Sequence, residues 1–244
     1  MAQEKEIKLI LKIPLKEFLK RIKEKNFKKI KTIKQEDIYF DTKDWKLYKS
    51  LAALRLRKTN NKSSSFSFKK LFFIPKLNNK WYVEEDEIDF PLQDTKTLTK
   101  IFTRLNIPYH NEKFNKENTL AKFLENSGYQ SDEHFKKTRT IYEDKQGFNE
   151  ISVNNVEKVG IIVELECSHE DPHKVANQLL NSDEWKSSNE GLGYMWLKKV
   201  KGFSDHIKMM KKLKSNPALN VWENEKDLYE NLCINNNGTL YRTE

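Results

Sequence analysis

The sequence predicts an α+β fold in which an antiparallel sheet of eight strands curls or closes into a barrel flanked by helices. Three observations lead to this prediction. Eight short segments alternate apolar and polar residues with the period of a strand, turn-forming residues separate several of them, and amphipathic helical segments lie between them. Many short strands with turns between them are typical of antiparallel sheets that close on themselves.

Alternation of side chains predicts each strand. In the first segment, Glu6 and Lys8 fall on one side of the strand, and Ile7 and Leu9 fall on the other. The same alternation recurs in seven later segments. The eight predicted strands are Glu4–Ile13, Asp37–Asp41, Leu54–Arg57, Phe66–Lys69, Tyr82–Asp89, Lys137–Tyr142, Phe148–Asn154 and Ile161–Cys167.

Helical spacing predicts the flanking elements. Residues 15–22 carry apolar side chains at i, i+3, i+4 and i+7, and Pro14 suits the first turn of that helix. Residues 98–105 and 120–124 repeat the pattern, and Gly128 is expected to end the second of these helices. Asp171 followed by Pro172 is a cap and a first-turn proline, which predicts a further helix there.

Residues 203–244 are predicted to be a helical extension of a main domain that spans residues 1–202. A short basic helix and a second helix are expected, and the Ser215-Asn216-Pro217 break separates them. The apolar residues that indicate the two helices are Phe203, Ile207, Met210 and Leu213 for the first, and Val221, Trp222, Leu228, Tyr229 and Leu232 for the second.

Composition excludes several classes of protein. Only 37% of the 244 residues are hydrophobic, and the longest apolar runs are far shorter than the roughly 20 residues of a membrane span. The N-terminal residues lack the pattern of a secretory signal. Two cysteines and five scattered histidines argue against a disulfide framework, a cysteine zinc site or a histidine-rich metal centre. We therefore expect a soluble, cytoplasmic protein without a membrane partner.

The charge balance predicts an anionic partner. Lys and Arg number 45 against 36 Asp and Glu, which leaves a formal net charge of +9. Such an excess favours nucleic acid or a small molecule that carries several phosphates. The basic residues 208–214 are interpreted as a solvated helix face, so nucleic acid remains the less favoured partner.

The charged residues recur in pairs on one side of the predicted strands, while the other side is apolar or neutral. If the charged sides face the interior of a barrel and helices cover the outside, the interior becomes a polar tunnel. Twelve buried charges without a ligand would lose several kcal/mol of solvation each, so the tunnel is expected to hold water, a metal and a polyanion. These residues are Glu4, Glu6, Lys8, Arg55, Arg57, Lys69, Glu85, Glu87, Lys137, Arg139, Glu164 and Glu166.

Ligand chemistry divides the roles. Paired carboxylates offer hard oxygen ligands that suit Mg²⁺ or Mn²⁺. Arginines and lysines bind phosphate oxygens that the metal leaves unneutralised. Together they predict a site for a triphosphate and a divalent cation, in which positioning and electrostatics supply most of the catalysis.

The same residues resemble the CYTH domain, also called the triphosphate tunnel metalloenzyme superfamily. The similarity covers roughly residues 3–200 in order. It rests on Glu4-Lys5-Glu6-Ile7-Lys8, Asp37-Ile38-Tyr39-Phe40-Asp41-Thr42, Ala53-Leu54-Arg55-Leu56-Arg57, Ser67-Phe68-Lys69, Lys137-Thr138-Arg139-Thr140-Ile141-Tyr142 and Gly160-Ile161-Ile162-Val163-Glu164-Leu165-Glu166. The resemblance implies an eight-stranded antiparallel tunnel that hydrolyses inorganic triphosphate, thiamine triphosphate or nucleoside triphosphates, or cyclises ATP.

Chemistry and resemblance together suggest a set of site residues. The expected catalytic residues are Glu4, Glu6, Lys8, Lys69 and Arg139. The expected substrate-binding residues are Lys8, Arg55, Arg57, Lys69, Lys137 and Arg139, and the expected metal ligands are Glu4, Glu6, Glu85, Glu87, Asn154, Glu164 and Glu166.

Two positions depart from the family pattern. Asn154 stands where the family usually has an aspartate, ten residues before Glu164, and a neutral amide oxygen weakens the case for a second metal. Tyr82 and Val83 stand where a basic residue often precedes the middle glutamates.

Several functions fit these motifs. The leading prediction is a triphosphate hydrolase that uses Mg²⁺ or Mn²⁺, and the runner-up is an adenylyl cyclase that produces cyclic AMP and pyrophosphate. A polyphosphate- or nucleotide-binding module without turnover and an RNA 5′-triphosphatase stay open. The sequence leaves both a monomer and a homodimer open.

Overall fold

A computed structural model of the chain describes residues 5–60, 62–74, 80–131, 134–188, 190–201, 206–227 and 229–230. The chain divides into two compact units. The first unit contains residues 1–36 and 135–204, and the second contains residues 37–134 and 205–244. No helix in the described part of the chain is long and apolar enough to cross a membrane.

The first unit is a sheet whose neighbouring strands follow the order β10-β1-β9-β8-β7-β2. The pairs β10–β1, β1–β9, β9–β8 and β8–β7 are antiparallel. The long strand β2 begins in this unit and ends in the second. The bounds are β1 Lys5–Leu11, β2 Lys28–Thr42, β7 Phe135–Glu143, β8 Asn149–Val156, β9 Gly160–Cys167 and β10 Trp185–Ser188.

Helices cover the apolar side of this sheet. Helix α1 (Leu15–Glu24) buries Phe18 and Ile22, and α5 (Pro172–Leu179) buries Val175 and Leu179. These side chains pack with the odd-numbered residues of β1, β8 and β9 in one hydrophobic cluster. The side chain of Asp171 accepts a hydrogen bond from the backbone N–H of His173, so it caps α5 as predicted. Helix α6 (Leu192–Lys201) completes the described helices of the unit.

The second unit continues β2 into a sheet of order β2-β3-β4-β5, and β6 also pairs with β2. The pairs β3–β4, β4–β5 and β2–β6 are antiparallel. The bounds are β3 Ala52–Thr59, β4 Ser63–Ile74, β5 Lys80–Asp89 and β6 Tyr129–Ser131. The helices are α2 Lys46–Lys49, α3 Thr95–Leu105, α4 Glu117–Asn126 and α7 His206–Ser215.

Helices α3 and α4 cover the apolar side of the second sheet. Leu54, Leu56, Phe66 and Phe68 pack in one hydrophobic cluster with the buried residues of both helices. The N-terminus of α3 is capped by Asp94, whose carboxylate accepts a hydrogen bond of 3.0 Å from the N–H of Thr97.

Beyond α7, the described chain docks on the second unit through short 3₁₀ turns, Pro217–Asn220 and Glu223–Glu225. Glu225 is 1% exposed and forms ion pairs with Lys70 and Arg104. The Lys70 ammonium also lies 3.5 Å from the ring centroid of Trp222. This segment therefore belongs to the core of the second unit.

The α+β prediction is confirmed, and each of the eight predicted strands lies in or overlaps a strand of the structure. The described residues contain ten strands rather than eight. The two that the sequence analysis did not predict are β6 and β10. The second predicted C-terminal helix was wrong for residues 221–225, because residues 221 and 222 are not helical and Glu223–Glu225 form a 3₁₀ turn. Helical backbone begins only at residue 226 and includes the described residues 226–227 and 229–230. Phe203, Leu228 and Leu232 lie outside the described residues. The 202/203 domain boundary and the enclosure of a tunnel stay predictions.

Candidate functional site

The polar side of the first sheet, called the first charged face, gathers side chains from four neighbouring strands. Antiparallel register sets Glu6 opposite Glu166 and Lys8 opposite Glu164. On the far side of β9, Glu150 lies opposite Glu166. Strand alternation places all of them on the side away from the α1 and α5 core. The members are Glu6 and Lys8 of β1, Glu164 and Glu166 of β9, Glu150, Ser152 and Asn154 of β8, and Lys137 and Arg139 of β7.

Three carboxylates form a row across β1, β9 and β8. Glu6, Glu166 and Glu150 are direct neighbours in register. Burial raises the pKa of Glu166 to about 7, and the negative charges of Glu6, Glu150 and Glu164 add to the rise. The row therefore concentrates negative charge that a bound cation would relieve.

Next to this row, Arg139 contacts both Glu164 and the amide of Asn154. Its Nε donates to Oδ1 of Asn154 at 2.8 Å, and its Nη2 pairs with Oε2 of Glu164. The amide Nδ2 of Asn154 donates to the same Glu164 oxygen at 3.0 Å. Glu164 and Asn154 are 6% and 0% exposed, so these groups are held in fixed relative positions.

Two lysines add positive charge to the first charged face. The Lys8 ammonium pairs with Glu6 and lies 3.8 Å from Oε1 of Glu164. Lys137 is buried, and its ammonium lies 5.8 Å from the ring centroid of Phe135. The face thus combines carboxylates on β1 and β9 with cations on β1 and β7.

The polar side of the second sheet, called the second charged face, carries a denser set of arginines. Nε and Nη2 of Arg57 donate to the two carboxylate oxygens of Asp37 at 2.6 and 2.7 Å, and Asp37 is 0% exposed. Tyr39 lies two residues further along β2, and burial together with the charge of Asp37 raises its pKa to about 12. The members are Asp37 and Tyr39 of β2, Arg55 and Arg57 of β3, Ser65, Ser67 and Lys69 of β4, and Glu85 and Glu87 of β5.

Glu85 contacts two of the cations of the second charged face. Its carboxylate accepts from Lys69 at 3.0 Å and lies 3.5 Å from Nη2 of Arg55. Burial acts to raise the pKa of Glu85, but the cations Lys69, Arg55 and Arg57 outweigh it and lower the pKa. Glu87 accepts a hydrogen bond of 2.5 Å from the Ser65 hydroxyl.

A comparison with models of known protein families identifies the family of the chain. The model of the CYTH domain matches residues 2–186 of the chain. The chain belongs to the CYTH domain family. No curated protein is significantly similar to it in sequence.

Solved structures show the same CYTH fold. The PH1819 protein of Pyrococcus horikoshii is 18% identical, with a TM-score of 0.55 over 81% of this chain and 99% of that one. A candidate adenylate cyclase of Vibrio parahaemolyticus is 16% identical, with a TM-score of 0.53 over 80% and 99%. HpAC1 of Hippeastrum, named as a candidate adenylyl cyclase with a dominant triphosphatase activity, is 20% identical, with a TM-score of 0.51 over 82% and 96%.

The structure distributes the predicted site residues of this CYTH chain between the two faces. The first charged face holds Glu6, Lys8, Lys137, Arg139, Asn154, Glu164 and Glu166, and the second holds Arg55, Arg57, Lys69, Glu85 and Glu87. Glu4 lies outside the described residues. Within the described ranges, no three His, Cys, Asp or Glu side chains are grouped closely enough to hold a metal ion.

The sequence analysis assigned no site role to Glu150, Asp37 or Ser67. Alternation could have found Glu150, because it lies four residues before Asn154 on the same predicted strand. Asp37 was noted only as part of a motif, since its pairing with Arg57 of another strand depends on the register of the sheet. Asp41 of the same motif serves the fold, because its carboxylate accepts from the N–H groups of Leu47 and Tyr48 at the start of α2.

Proposed function

We propose that this CYTH chain is a divalent-metal-dependent hydrolase of a triphosphate. The substrate would be inorganic triphosphate, thiamine triphosphate or a nucleoside triphosphate. The observation that carries the proposal is the first charged face, where a row of crowded carboxylates adjoins Arg139 and Lys8. Carboxylates alone would suit a cation and cations alone an anion, whereas their combination suits a metal-bound polyphosphate.

The carboxylates are the proposed metal ligands. Glu4, Glu6, Glu164 and Glu166 would hold Mg²⁺ or Mn²⁺, and Glu150 extends the same oxygen donor set. Burial, and next the charges of Glu6, Glu150 and Glu164, raise the pKa of Glu166, and a bound hard cation would offset these neighbouring negative charges. When bound, the metal would neutralise phosphate charge and stabilise the leaving group.

The cationic side chains are the proposed phosphate ligands. On the first charged face these would be Lys8, Lys137 and Arg139, and on the second charged face Arg55, Arg57 and Lys69. Glu85 contacts both Lys69 and Arg55, so it would orient these two cations. The side chains named on the two faces include serines but no histidine that could activate them and no cysteine, so water is the proposed nucleophile.

Products of a substrate panel test this function. Inorganic triphosphate, thiamine triphosphate and ATP would be incubated with Mg²⁺, Mn²⁺ or EDTA, and phosphate and cyclic AMP would be separated by chromatography. We expect phosphate release that EDTA abolishes, with little cyclic AMP. Glu164→Gln should remove most of the activity, whereas Glu24→Gln on the exposed side of α1 should leave it unchanged.

Other results would point to other functions. Cyclic AMP as the main product from ATP would favour the cyclase, the activity named for the candidate cyclases of the same fold. Binding of triphosphate without turnover under any metal condition would favour a binding module. Full turnover in EDTA would contradict the metal dependence.

A further inference from the structure

Three arginines on the charged faces are held in the same way. Nε of Arg55 donates to the hydroxyl of Ser67 at 3.2 Å, on the neighbouring strand β4. Nε of Arg57 donates to Asp37 at 2.6 Å, and Nε of Arg139 donates to Asn154 at 2.8 Å. The three acceptors Ser67, Asp37 and Asn154 are 2%, 0% and 0% exposed.

The contacts occupy one particular edge of each guanidinium. Besides Nε, Nη2 of each arginine faces a carboxylate: Asp37 for Arg57, Glu164 for Arg139 and, at 3.5 Å, Glu85 for Arg55. A guanidinium has two edges with paired N–H donors, one formed by Nε and Nη2 and the other by Nη1 and Nη2. Holding the first edge orients the second edge for a bidentate contact with a phosphate.

We propose that Ser67, Asp37 and Asn154 are positioning residues that orient Arg55, Arg57 and Arg139 for phosphate binding. The inference rests on the proposed function, in which these arginines are the phosphate ligands. A free arginine loses much rotamer entropy when a ligand immobilises it. An arginine that is already held at Nε loses less, so the acceptor strengthens binding without contacting the ligand.

The acceptors differ in charge, and each suits its site. The carboxylate of Asp37 accepts both donors of the Arg57 edge. Asn154 has to accept from Arg139 and donate to Glu164 at once, which an amide does and an ionised carboxylate cannot. In this chain, therefore, the asparagine at the family's aspartate position acts through Arg139.

Calorimetric binding of inorganic triphosphate in EDTA tests the proposal without the metal. Ser67→Ala, Asn154→Ala and Asp37→Asn should each weaken the Kd about three- to tenfold, the range of one lost hydrogen bond. Ser64→Ala is the matched control for Ser67→Ala. Ser64 lies on the same strand, β4, but on the opposite face, where its hydroxyl donates a hydrogen bond to Glu117. The Kd of this control should stay within twofold of the wild type.

A double-mutant cycle separates positioning from a merely structural role. In an Arg55→Met background, Ser67→Ala should change the Kd by less than twofold, because no guanidinium remains to be held. Asp37→Asn removes the buried carboxylate that pairs with Arg57 and can unfold the chain. The proposal is therefore decided by Ser67→Ala and Asn154→Ala.

The outcomes distinguish the two proposals. If Arg55→Met weakens binding while Ser67→Ala and Asn154→Ala bind like the wild type, the positioning proposal is overturned and the proposed function stands. Equal effects of Ser67→Ala with and without Arg55 would also overturn the positioning role. If the wild type binds triphosphate neither in EDTA nor with Mg²⁺, or if Arg55→Met and Arg139→Met bind as well as the wild type, both proposals fall together.

Discussion

Lys69 and Lys70 are adjacent in the chain, and strand alternation gives them opposite environments. Lys69 lies on the second charged face and pairs with Glu85. Lys70 points to the helix-covered side, where it is 0% exposed and pairs with Glu225 beneath Trp222. One side chain belongs to the candidate site and the other to the core, so a charged residue in this family cannot be assigned to the site by its type alone.

Lys70 makes stability depend on pH. Burial lowers the pKa of Lys70 to about 8, although the charge of Glu225 acts to raise it. In the unfolded chain the pKa keeps its ordinary value near 10.5. Between these values the unfolded state binds more protons, so this lysine makes folding more favourable as pH rises. Urea unfolding should show the wild type gaining roughly 2–3 kcal/mol relative to Lys70→Met between pH 7 and 10. A difference that stays constant with pH would mean that Lys70 keeps its ordinary pKa.

Sequence reasoning at the residue scale succeeds where the signal is local. The pairs Arg55-x-Arg57 and Glu164-x-Glu166 fall on one face because the strand period is two. It fails where the partner is remote in sequence. Asp37 of β2 pairs with Arg57 of the neighbouring strand β3, and nothing in the local pattern of either segment indicates the pairing.

At the scale of elements, the C-terminal segment of residues 217–225 ties α3 to β4. Asn224 donates to the carbonyl oxygens of Thr103 and Arg104 at the end of α3, at 2.6 and 3.1 Å. The amide of Asn220, which is 1% exposed, donates to the carbonyl of Leu71 in β4. Glu225 forms ion pairs with both Lys70 of β4 and Arg104 of α3, so the segment is an integral part of this unit.

Removing the central carboxylate of this segment should destabilise the fold. Glu225→Ala leaves two buried cations without their shared partner, and breaking such a buried pair typically costs about 3–5 kcal/mol. Glu223→Ala is the matched control, because Glu223 lies in the same turn with its side chain 86% exposed. Its effect on the free energy of unfolding should stay within about 0.5 kcal/mol. Equal effects of the two substitutions would contradict the ion-pair core.

The elements that the sequence analysis missed are short or atypical. β6 has three residues and β10 has four, too few to show alternation. The first half of β2 reads Lys28-Lys29-Ile30-Lys31, where lysines on both sides of the strand hide the period of two. The described segment 217–225 forms two 3₁₀ turns, and its contacts with β4 and α3 are remote in sequence, so the local pattern did not indicate them.

At the scale of the whole molecule, composition predicted an anionic partner but not where it binds. A net charge of +9 attracts any polyanion, and salt screens that attraction over about 10 Å at 0.1 M. The two charged faces contain slightly more carboxylates than cations, so their affinity for phosphate depends on how the charges are arranged. A specific site and a general attraction therefore respond differently when charges are removed.

Thermal unfolding with inorganic triphosphate distinguishes these two sources of binding. A ligand at 100 times its Kd stabilises the folded state by about 2.7 kcal/mol, which raises the Tm by several degrees. Arg139→Gln removes one charge from the first charged face and should abolish most of that shift. The double variant Lys211→Gln/Lys212→Gln removes two exposed charges from α7 and should leave it nearly intact. If the α7 variant loses more of the shift than Arg139→Gln, general electrostatic attraction rather than the arranged site binds the triphosphate.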